Sequence, residues 1–410
     1  MDDKNDEKYM DMALSLAELG RGTASPNPMV GAVVVKDGKV VGKGWHKRPG
    51  TPHAEAIALR KAGDKAEGST IYVNLEPCCH RDKLTPPCTD ALIASKVARV
   101  VVGMVDPNPK VAGKGIDTLR EAGIEVELGL LAERCEKLNT AFAKHITTGL
   151  PSVTLKVAQT LDGKIATSTG ESKWITGPDA RRAGHLLRDQ SDAIVVGIGT
   201  VLRDDPALTT RLEGEGKSRD PHRIIMDSHL RIPLDAKVLN VDSKSKTYVA
   251  TTVAASTQKM KELKRKKAEL LIIDADPDGR VSMPLLMEEL AKMGMTNILI
   301  EGGARVNAEA LRSNVVDRVM FFIAPKILGG DDARGSIGGR SPESLVDAVQ
   351  LHSVHYSRVG EDILIEGYIM KEGPEASGAV SGEPQSEQPQ AEDRASHKRR
   401  RRKSRKGKQG

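Results

Sequence analysis

The sequence predicts an α/β protein: two domains, each a sheet with helices on its faces, followed by a disordered C-terminal tail. Three observations carry this. The chain has 410 residues, more than one hydrophobic core ordinarily organises. Short aliphatic runs alternate with helix-period segments as far as about residue 370, the pattern of mixed sheets covered by helices. From residue 371 the composition turns to Gly, Pro, Ser, Glu and Gln and then to a basic block. Such a segment cannot bury enough apolar surface to offset its ordering entropy. The expected boundaries are residues 1–147, 148–370 and 371–410. Aromatic residues make up 2% of the chain, so the cores should be aliphatic.

In the first domain, residues 8–19 place Met12, Leu16 and Leu19 at helical spacing and stop at Gly20. Residues 30–35 and 39–45 flank Asp37-Gly38, a hairpin signal, because Asp-Gly accepts the positive φ of a type I′ turn. Residues 54–61 read as a helix with His53 at its start, 70–75 as a strand, 89–95 as a helix and 99–104 as a strand. A helix over 115–122, a short strand over 124–128 and one helix over 131–145 complete the unit.

Pro151 opens the second. Strands are expected over 153–158, 193–197, 223–227, 247–251, 270–273, 297–300, 316–323 and 362–370. Helices are expected over 178–188, with Pro at its first position, 283–293 and 304–311.

Charge and cysteines narrow the function classes. The net charge is +6, yet residues 398–408 alone hold nine basic side chains and no acid; without them the rest carries −3. No run approaches the eighteen or so apolar residues of a membrane span. The start, Met1-Asp2-Asp3-Lys4-Asn5-Asp6-Glu7, is acidic and lacks the features of a secretory signal. Three of the four cysteines fall within residues 78–88, which is metal spacing rather than a disulfide framework. Cys135 reads as a small buried apolar residue. A protein of the reducing cytoplasm is expected.

The chemistry centres on His53-Ala54-Glu55, Pro77-Cys78 and Pro86-Pro87-Cys88. Two thiolates and one imidazole make a three-ligand zinc set, the catalytic kind that keeps a position for water. Zinc lowers the pKa of that water to about 7. Glu55 is left to carry protons. His-x-Glu followed by Pro-Cys and a second Cys is the pattern of zinc-dependent deaminases. The spacing departs from the nucleobase form: nine residues, not two, separate Cys78 from Cys88. Cys79 competes with Cys78 as ligand; Cys78 is preferred because it follows Pro77.

Two glycine-bearing loops follow strands in the second domain, Val196-Gly197-Ile198-Gly199-Thr200-Val201-Leu202 and Ile300-Glu301-Gly302-Gly303-Ala304. Glycine lets backbone N–H groups approach a phosphate. No full Gly-x-Gly-x-x-Gly fingerprint is present, so a Rossmann fold is not indicated. Arg188 and Arg211 are candidates for an anionic substrate.

Specific segments then carry a resemblance. They are Pro26-Asn27-Pro28-Met29-Val30-Gly31, His53-Ala54-Glu55, Leu75-Glu76-Pro77-Cys78-Cys79-His80, Thr85-Pro86-Pro87-Cys88 and Asp106-Pro107-Asn108-Pro109. In the second half they are Lys156-Val157-Ala158, Leu161-Asp162-Gly163, Lys173-Trp174-Ile175-Thr176-Gly177, Gly199-Thr200-Val201-Leu202, Asp204-Asp205-Pro206 and Glu301-Gly302-Gly303. From about residue 8 to 370 the chain resembles the bifunctional bacterial riboflavin-biosynthesis deaminase/reductase family.

The resemblance implies a cytidine-deaminase-like three-layer domain followed by a dihydrofolate-reductase-like α/β domain. It implies removal of an amino group from a phosphoribosylamino-diaminopyrimidinone, then NADPH reduction of the ribosyl chain to ribityl. His53, Cys78 and Cys88 then look like zinc ligands and Glu55 like the proton shuttle. Asn27, His46 and Lys83 would hold the pyrimidine and its phosphate. Ala158, Trp174, Thr200, Asp204, Ser228, Gly303, Ala304, Arg305, Val306, Asn307, Ala308 and Glu309 match NADP-contacting positions. Ser172, Arg188, Leu208, Arg211 and Glu301 match substrate-contacting ones. Lys156 and Asp204 are further expectations for polar assistance to the reduction.

One departure bears on these roles. The family's loop before Thr-Pro-Pro-Cys is one residue shorter and holds a Gly and a basic residue; here Asp82-Lys83-Leu84 stands there. This weakens Lys83 as a phosphate contact. The expected partner is a small pyrimidine phosphoribosyl substrate, in a homo-oligomer without membrane contact.

A nucleic-acid base deaminase, with the tail as its RNA-binding footprint, is the alternative. It has few aromatics for stacking bases and leaves the second domain without a role. A purely structural zinc site leaves Glu55 unexplained. The tail itself reads as a solvated charge run in preference to a nucleic-acid contact.

Overall fold

The computed structural model describes residues 3–81, 85–212, 214, 218–266 and 268–371. The first part of the chain forms α1 (Asp3–Glu18), β1 (Gly31–Lys36), β2 (Lys39–Trp45), α2 (Ala54–Ala62), β3 (Thr70–Val73), α3 (Cys88–Ala94), β4 (Arg99–Val102), α4 (Lys114–Glu121), β5 (Glu125–Leu128), α5 (Ala132–Leu138) and α6 (Thr140–Thr148). The strands make one sheet in the order β2-β1-β3-β4-β5. β1 runs antiparallel to β2 and β3, while β3, β4 and β5 are parallel. Asp37 and Gly38 take φ of 50° and 70°, the positive values that the hairpin demands. The core is aliphatic as expected, built around Val33, Val34, Ile71, Val73, Val100, Val101 and Val102, with Met10 and Leu14 of α1. Cys135 is fully buried in it.

The second part forms β6 (Ser152–Thr160), β7 (Lys164–Ala166), α7 (Pro178–Gln190), β8 (Ala193–Gly197), α8 (Ile198–Asp204), β9 (His222–Met226), β10 (Thr247–Thr251), α9 (Thr257–Arg265), β11 (Glu269–Ile272), α10 (Met283–Lys292), β12 (Asn297–Ile300), α11 (Ala304–Arg312), β13 (Arg318–Ala324), β14 (Arg334–Gly335), β15 (Leu351–Val359) and β16 (Asp362–Ile369). Nine strands form one sheet in the order β11-β10-β9-β8-β12-β6-β13-β16-β15. The run from β11 to β13 is parallel and the last two strands are antiparallel. Both faces of the parallel part are covered, which is why β8 reads as an unbroken apolar run.

Several elements differ from the sequence reading. The single helix expected over 131–145 is two, α5 and α6, interrupted at Asn139. The Asn139 side chain accepts from Met29 N at 2.8 Å and donates to Met29 O at 3.1 Å, so a contact 110 residues away decides the break. The expected glycine loop over 196–202 is mostly helix α8, which starts directly after Gly197. α9, β7, β14 and β15 were not expected. No helix among the described residues is long and apolar enough to cross a membrane. The tail from residue 372, including its basic block, lies outside the described residues.

Candidate active site

Two strand-to-helix corners build the first site. β2 leads through residues 46–53 into α2, with His53 at the N-cap and Glu55 in the first turn. β3 runs on to Cys78, and Cys88 opens α3. The N–H groups of Cys88 and Thr89 donate to Cys78 O at 3.0 and 3.3 Å. These two bonds bring the second thiol back to the first.

His53 Nδ1 lies 3.5 Å from Cys78 Sγ and 3.3 Å from Cys88 Sγ. Tetrahedral zinc, with Zn–N of about 2.0–2.1 Å and Zn–S of about 2.3 Å, sets a ligand N···S separation of about 3.5 Å. The donor set fits zinc, and the three ligand atoms lie within 4.8 Å of one another. Cys79 is not in this group. Burial, with the Glu76 charge adding to it, pushes its thiol up, away from the thiolate a metal takes.

Glu55 is 3% exposed, and its Oε2 has no hydrogen-bond partner among the described residues. Burial pushes its carboxyl up, Cys78 adds to this and His53 opposes it. A buried carboxyl with a spare oxygen beside three metal donors has the position of a proton carrier. Thr85 Oγ1, 3.2 Å from His53 Nε2, engages the imidazole on its far side and so fixes the ring. Sequence reasoning gave Thr85 no role; the signal was its place just before Pro86-Pro87-Cys88.

His53, Glu55, Cys78 and Thr85 face a cavity of about 430 Å³. Its other walls are Pro26, Asn27 and Pro28 before β1, His46 after β2, Asp106 and Asn108 after β4, and Phe142, His145 and Ile146 of α6. Asn27 Nδ2 is 3.0 Å from His46 Nε2, and His46 Nδ1 is 3.4 Å from Pro52 O. A neutral ring fits both contacts, with Nδ1–H donating to Pro52 and Nε2 accepting from Asn27. Burial pushes His46 down and His53 does so further, which favours that neutral state. Asn27 and His46 thus meet at the cavity, whereas Lys83 lies outside the described residues.

Sequence reasoning missed Asp106, Asn108 and the α6 residues as wall. It also missed Glu76, whose buried carboxylate accepts N–H groups of Asp106, Gly113, Gly115 and Ile116 and so fixes the loop after β4.

The second group of expected residues lies along the carboxyl ends of the parallel strands of the larger sheet, where ligands collect in such folds. Glu301 follows β12. Arg188 of α7 donates to it from Nε at 2.9 Å and from Nη2 at 2.7 Å. Lys156 Nζ of β6 is 3.9 Å from the same carboxylate. Burial alone raises the Glu301 carboxyl, but Arg188 and Lys156 outweigh it and hold it at about 2. The Arg211 N–H donates to His185 Nδ1 at 3.2 Å. Burial, with Arg188 and Arg211 adding to it, pushes His185 down to about 4. This neutral imidazole among cations was not foreseen. Arg188, Arg211 and Glu301 therefore come together. Leu208 is buried in the core with φ of 54°. Ser172 and Trp174 lie on the segment before α7, and the Arg181 guanidinium stacks on the Trp174 ring at 4.6 Å.

Thr200 and Asp204 lie on α8, Ser228 follows β9, Ala158 is on β6, and Gly303 caps α11, which carries Ala304, Arg305, Val306, Asn307, Ala308 and Glu309. A Cβ on Gly303 would lie 3.7 Å from Thr200 Oγ1, so the α11 N-terminus adjoins α8. The first N–H groups of a helix have no partner within the helix, and a terminus of this kind favours anions. Gly197 and Gly302 serve packing instead: a Cβ there would come within 2.7 and 2.6 Å of the Val306 side chain. Asn307 Nδ2 donates to Ser336 O, and Ser228 Oγ accepts from Val281 N.

Comparison with known proteins covers both halves. Residues 3–104 match the cytidine and deoxycytidylate deaminase zinc-binding region, and residues 151–365 match the RibD C-terminal domain. The chain is 45% identical over 360 residues to riboflavin biosynthesis protein RibD of Aquifex aeolicus, spanning 88% of this chain and 97% of that one. With RibD of Escherichia coli K12 it shares 44% over 370 residues, 88% of this chain and 98% of the other. Acinetobacter baumannii RibD superposes with a TM-score of 0.79 at 37% identity, covering 90% of this chain and 100% of that chain. The Thermotoga maritima diaminohydroxyphosphoribosylaminopyrimidine deaminase/5-amino-6-(5-phosphoribosylamino)uracil reductase does so at 0.77 and 35%, with the same coverage.

Proposed function

We infer the division of labour in this chain from one premise: it belongs to the RibD family of riboflavin-biosynthesis proteins, and is a bifunctional enzyme, a zinc-dependent deaminase and an NADPH-dependent reductase. Residues 1–147 are the deaminase domain in this reading and residues 148–370 the reductase domain. The substrate is 2,5-diamino-6-(5-phosphoribosylamino)pyrimidin-4-one, deaminated first and then reduced in its ribosyl chain.

The observation that carries the deaminase assignment is the meeting of His53, Cys78 and Cys88 beside buried Glu55. Zinc bound there supplies the Lewis acidity that makes water a nucleophile near neutral pH. Glu55 Oε2 takes a proton from the attacking water and passes it to the ring nitrogen; it then moves the remaining hydroxyl proton to the amino group, whose bond to carbon breaks as the carbonyl forms and ammonia leaves. Burial pushes the Glu55 carboxyl up, the direction that favours proton uptake. Asn27 and His46 hold the pyrimidine, and Lys83 is assigned to the phosphate on resemblance alone.

In the reductase, NADPH supplies the reducing equivalent, and the protein's part is to bind, orient and place charge. The α11 N-terminus at Gly303 and Thr200 are assigned to the cofactor phosphates; residues 304–309, Ala158, Trp174, Asp204 and Ser228 complete that site. Arg188, Arg211, Glu301, Ser172 and Leu208 hold the substrate, with Lys156 as the nearby cation.

A homo-oligomer assembled across β15 is part of the reading. This strand is the sheet's edge, and it exposes Val354 and Tyr356 at 50% and 83%. Light scattering that returned a monomer mass would remove this element. Thiolate ligands suit a reducing cytoplasm.

The experiment incubates purified protein with the diaminopyrimidinone, with and without NADPH, and identifies products by mass. The expected result is an aminouracil product alone, converted to its ribityl form when NADPH is added. Zinc-replete protein that leaves the substrate unchanged overturns the reading.

A further inference from the structure

We propose that Asp192, in the reductase half, is a positioning residue for the deaminase: it holds Ser25, and Ser25 fixes the Pro26-Asn27-Pro28 wall of the pyrimidine cavity. This rests on the reading of that cavity as the deaminase site.

The Ser25 hydroxyl donates to Asp192 Oδ2 at 2.7 Å and lies 2.8 Å from Thr296 Oγ1. It also lies 3.5 Å from Gly294 O, so its side-chain partners all belong to the other half. Asp192 and Thr296 are 6% and 3% exposed. The same Oδ2 accepts the N–H of Thr296 at 2.9 Å and of Asn297 at 3.0 Å. A hydrogen bond to a buried carboxylate oxygen that two backbone N–H groups already hold is a strong and directional restraint.

Asp192 is not among the residues assigned above to the reductase chemistry. It stands just before β8, at the amino ends of the parallel strands, whereas Glu301 and the α11 N-terminus stand at the carboxyl ends. The next residue, Pro26, lines the deaminase cavity, and Asn27 meets His46 at 3.0 Å. A second strap repeats the arrangement. α6, which gives Phe142, His145 and Ile146 to the same cavity, is tied by Lys144 Nζ to Asp317 Oδ2 at 2.6 Å. The walls that receive substrate are thus braced by two reductase carboxylates, while His53, Cys78 and Cys88 are held within the deaminase half. Loss of a brace should therefore act on substrate binding and spare the metal.

The test compares full-length wild type, Ser25→Ala and Ser25→Thr in the deaminase assay, with zinc content, melting temperature and NADPH oxidation on deaminated substrate measured alongside. Ser25→Ala is expected to raise the deaminase KM roughly tenfold, the scale of one hydrogen bond to a charged group. Its kcat, zinc content and reductase rate should stay near wild type, and Ser25→Thr should restore most of the KM. Asp192→Asn should give the same KM rise in protein whose reductase still turns over. An unchanged KM in Ser25→Ala overturns the proposal while the deaminase reading stands. So does a fall in kcat accompanied by zinc loss or a lowered melting temperature. Wild type that fails to deaminate overturns both.

Discussion

The Glu301 carboxylate takes both arms of the Arg188 guanidinium, at 2.9 and 2.7 Å, in a pair whose side chains are 11% and 16% exposed. Paired forks of this kind give geometry as well as charge. Lys156 beside them leaves the cluster with more positive than negative charge, suited to an anionic substrate.

Arg188→Ala should abolish most reductase activity and leave the deaminase KM and kcat unchanged. It strands a buried carboxylate, so stability should fall by about 3–5 kcal/mol. The neutral double variant Arg188→Met with Glu301→Gln should be less destabilised than Arg188→Ala. Chemical denaturation of the three proteins measures this, and equal losses in both activities would count against separate sites.

The same pair makes the protein sensitive to acid. Glu301 is held at about 2, below the 4.5 of an ordinary glutamate. Between those values the unfolded chain binds a proton that the folded chain does not, so stability rises with pH there. The contribution is complete above about pH 4.5 and is lost as pH falls toward 2. Melting curves of wild type and Glu301→Gln should therefore converge across that window; a constant gap would contradict the assignment.

Glu55→Gln should retain zinc and lower deamination at least about 10²-fold, the scale of a general acid–base group. NADPH oxidation with the deaminated substrate should continue. Metal analysis paired with the two assays decides it, and near-normal deamination would remove Glu55 as the proton carrier.

Cys88→Ser should reduce bound zinc and deamination together while the reductase keeps its rate, since the metal set is confined to one half. Zinc content against a chelator series, read beside both activities, is the measurement.

A chain ending at Met370 should keep both activities, because the matches to both halves end before that residue. Loss of either activity would give the basic tail a catalytic role.

Local pattern made much of this legible. The Asp37-Gly38 hairpin, the strand over Ala193–Gly197 and the Pro-led helix α7 are set by φ preference, apolar runs and a missing N–H, all read over a few residues. β15 was missed because its residues are largely polar and its exposed edge needs no apolar alternation; only pairing with β16 makes it a strand. α5 and α6 were merged because their helical period is continuous and the amide that interrupts them is recruited by Met29, far away in sequence. The metal-donor group of His53, Cys78 and Cys88 was readable because its chemistry lies in residue type and short spacing. Thr85, Glu76 and His185 were not, since each acts through a neighbour that folding supplies.

By itself the sequence determined which atoms are able to bind a metal, carry a proton or meet an anion, because those properties belong to single side chains. The tertiary structure alone decided that His53 Nδ1 and the two thiols stand a zinc ligand's separation apart, and that Ser25 reaches across to Asp192. Distances between residues remote in the chain arise from how sheets and helices pack, and packing is a property of the whole core.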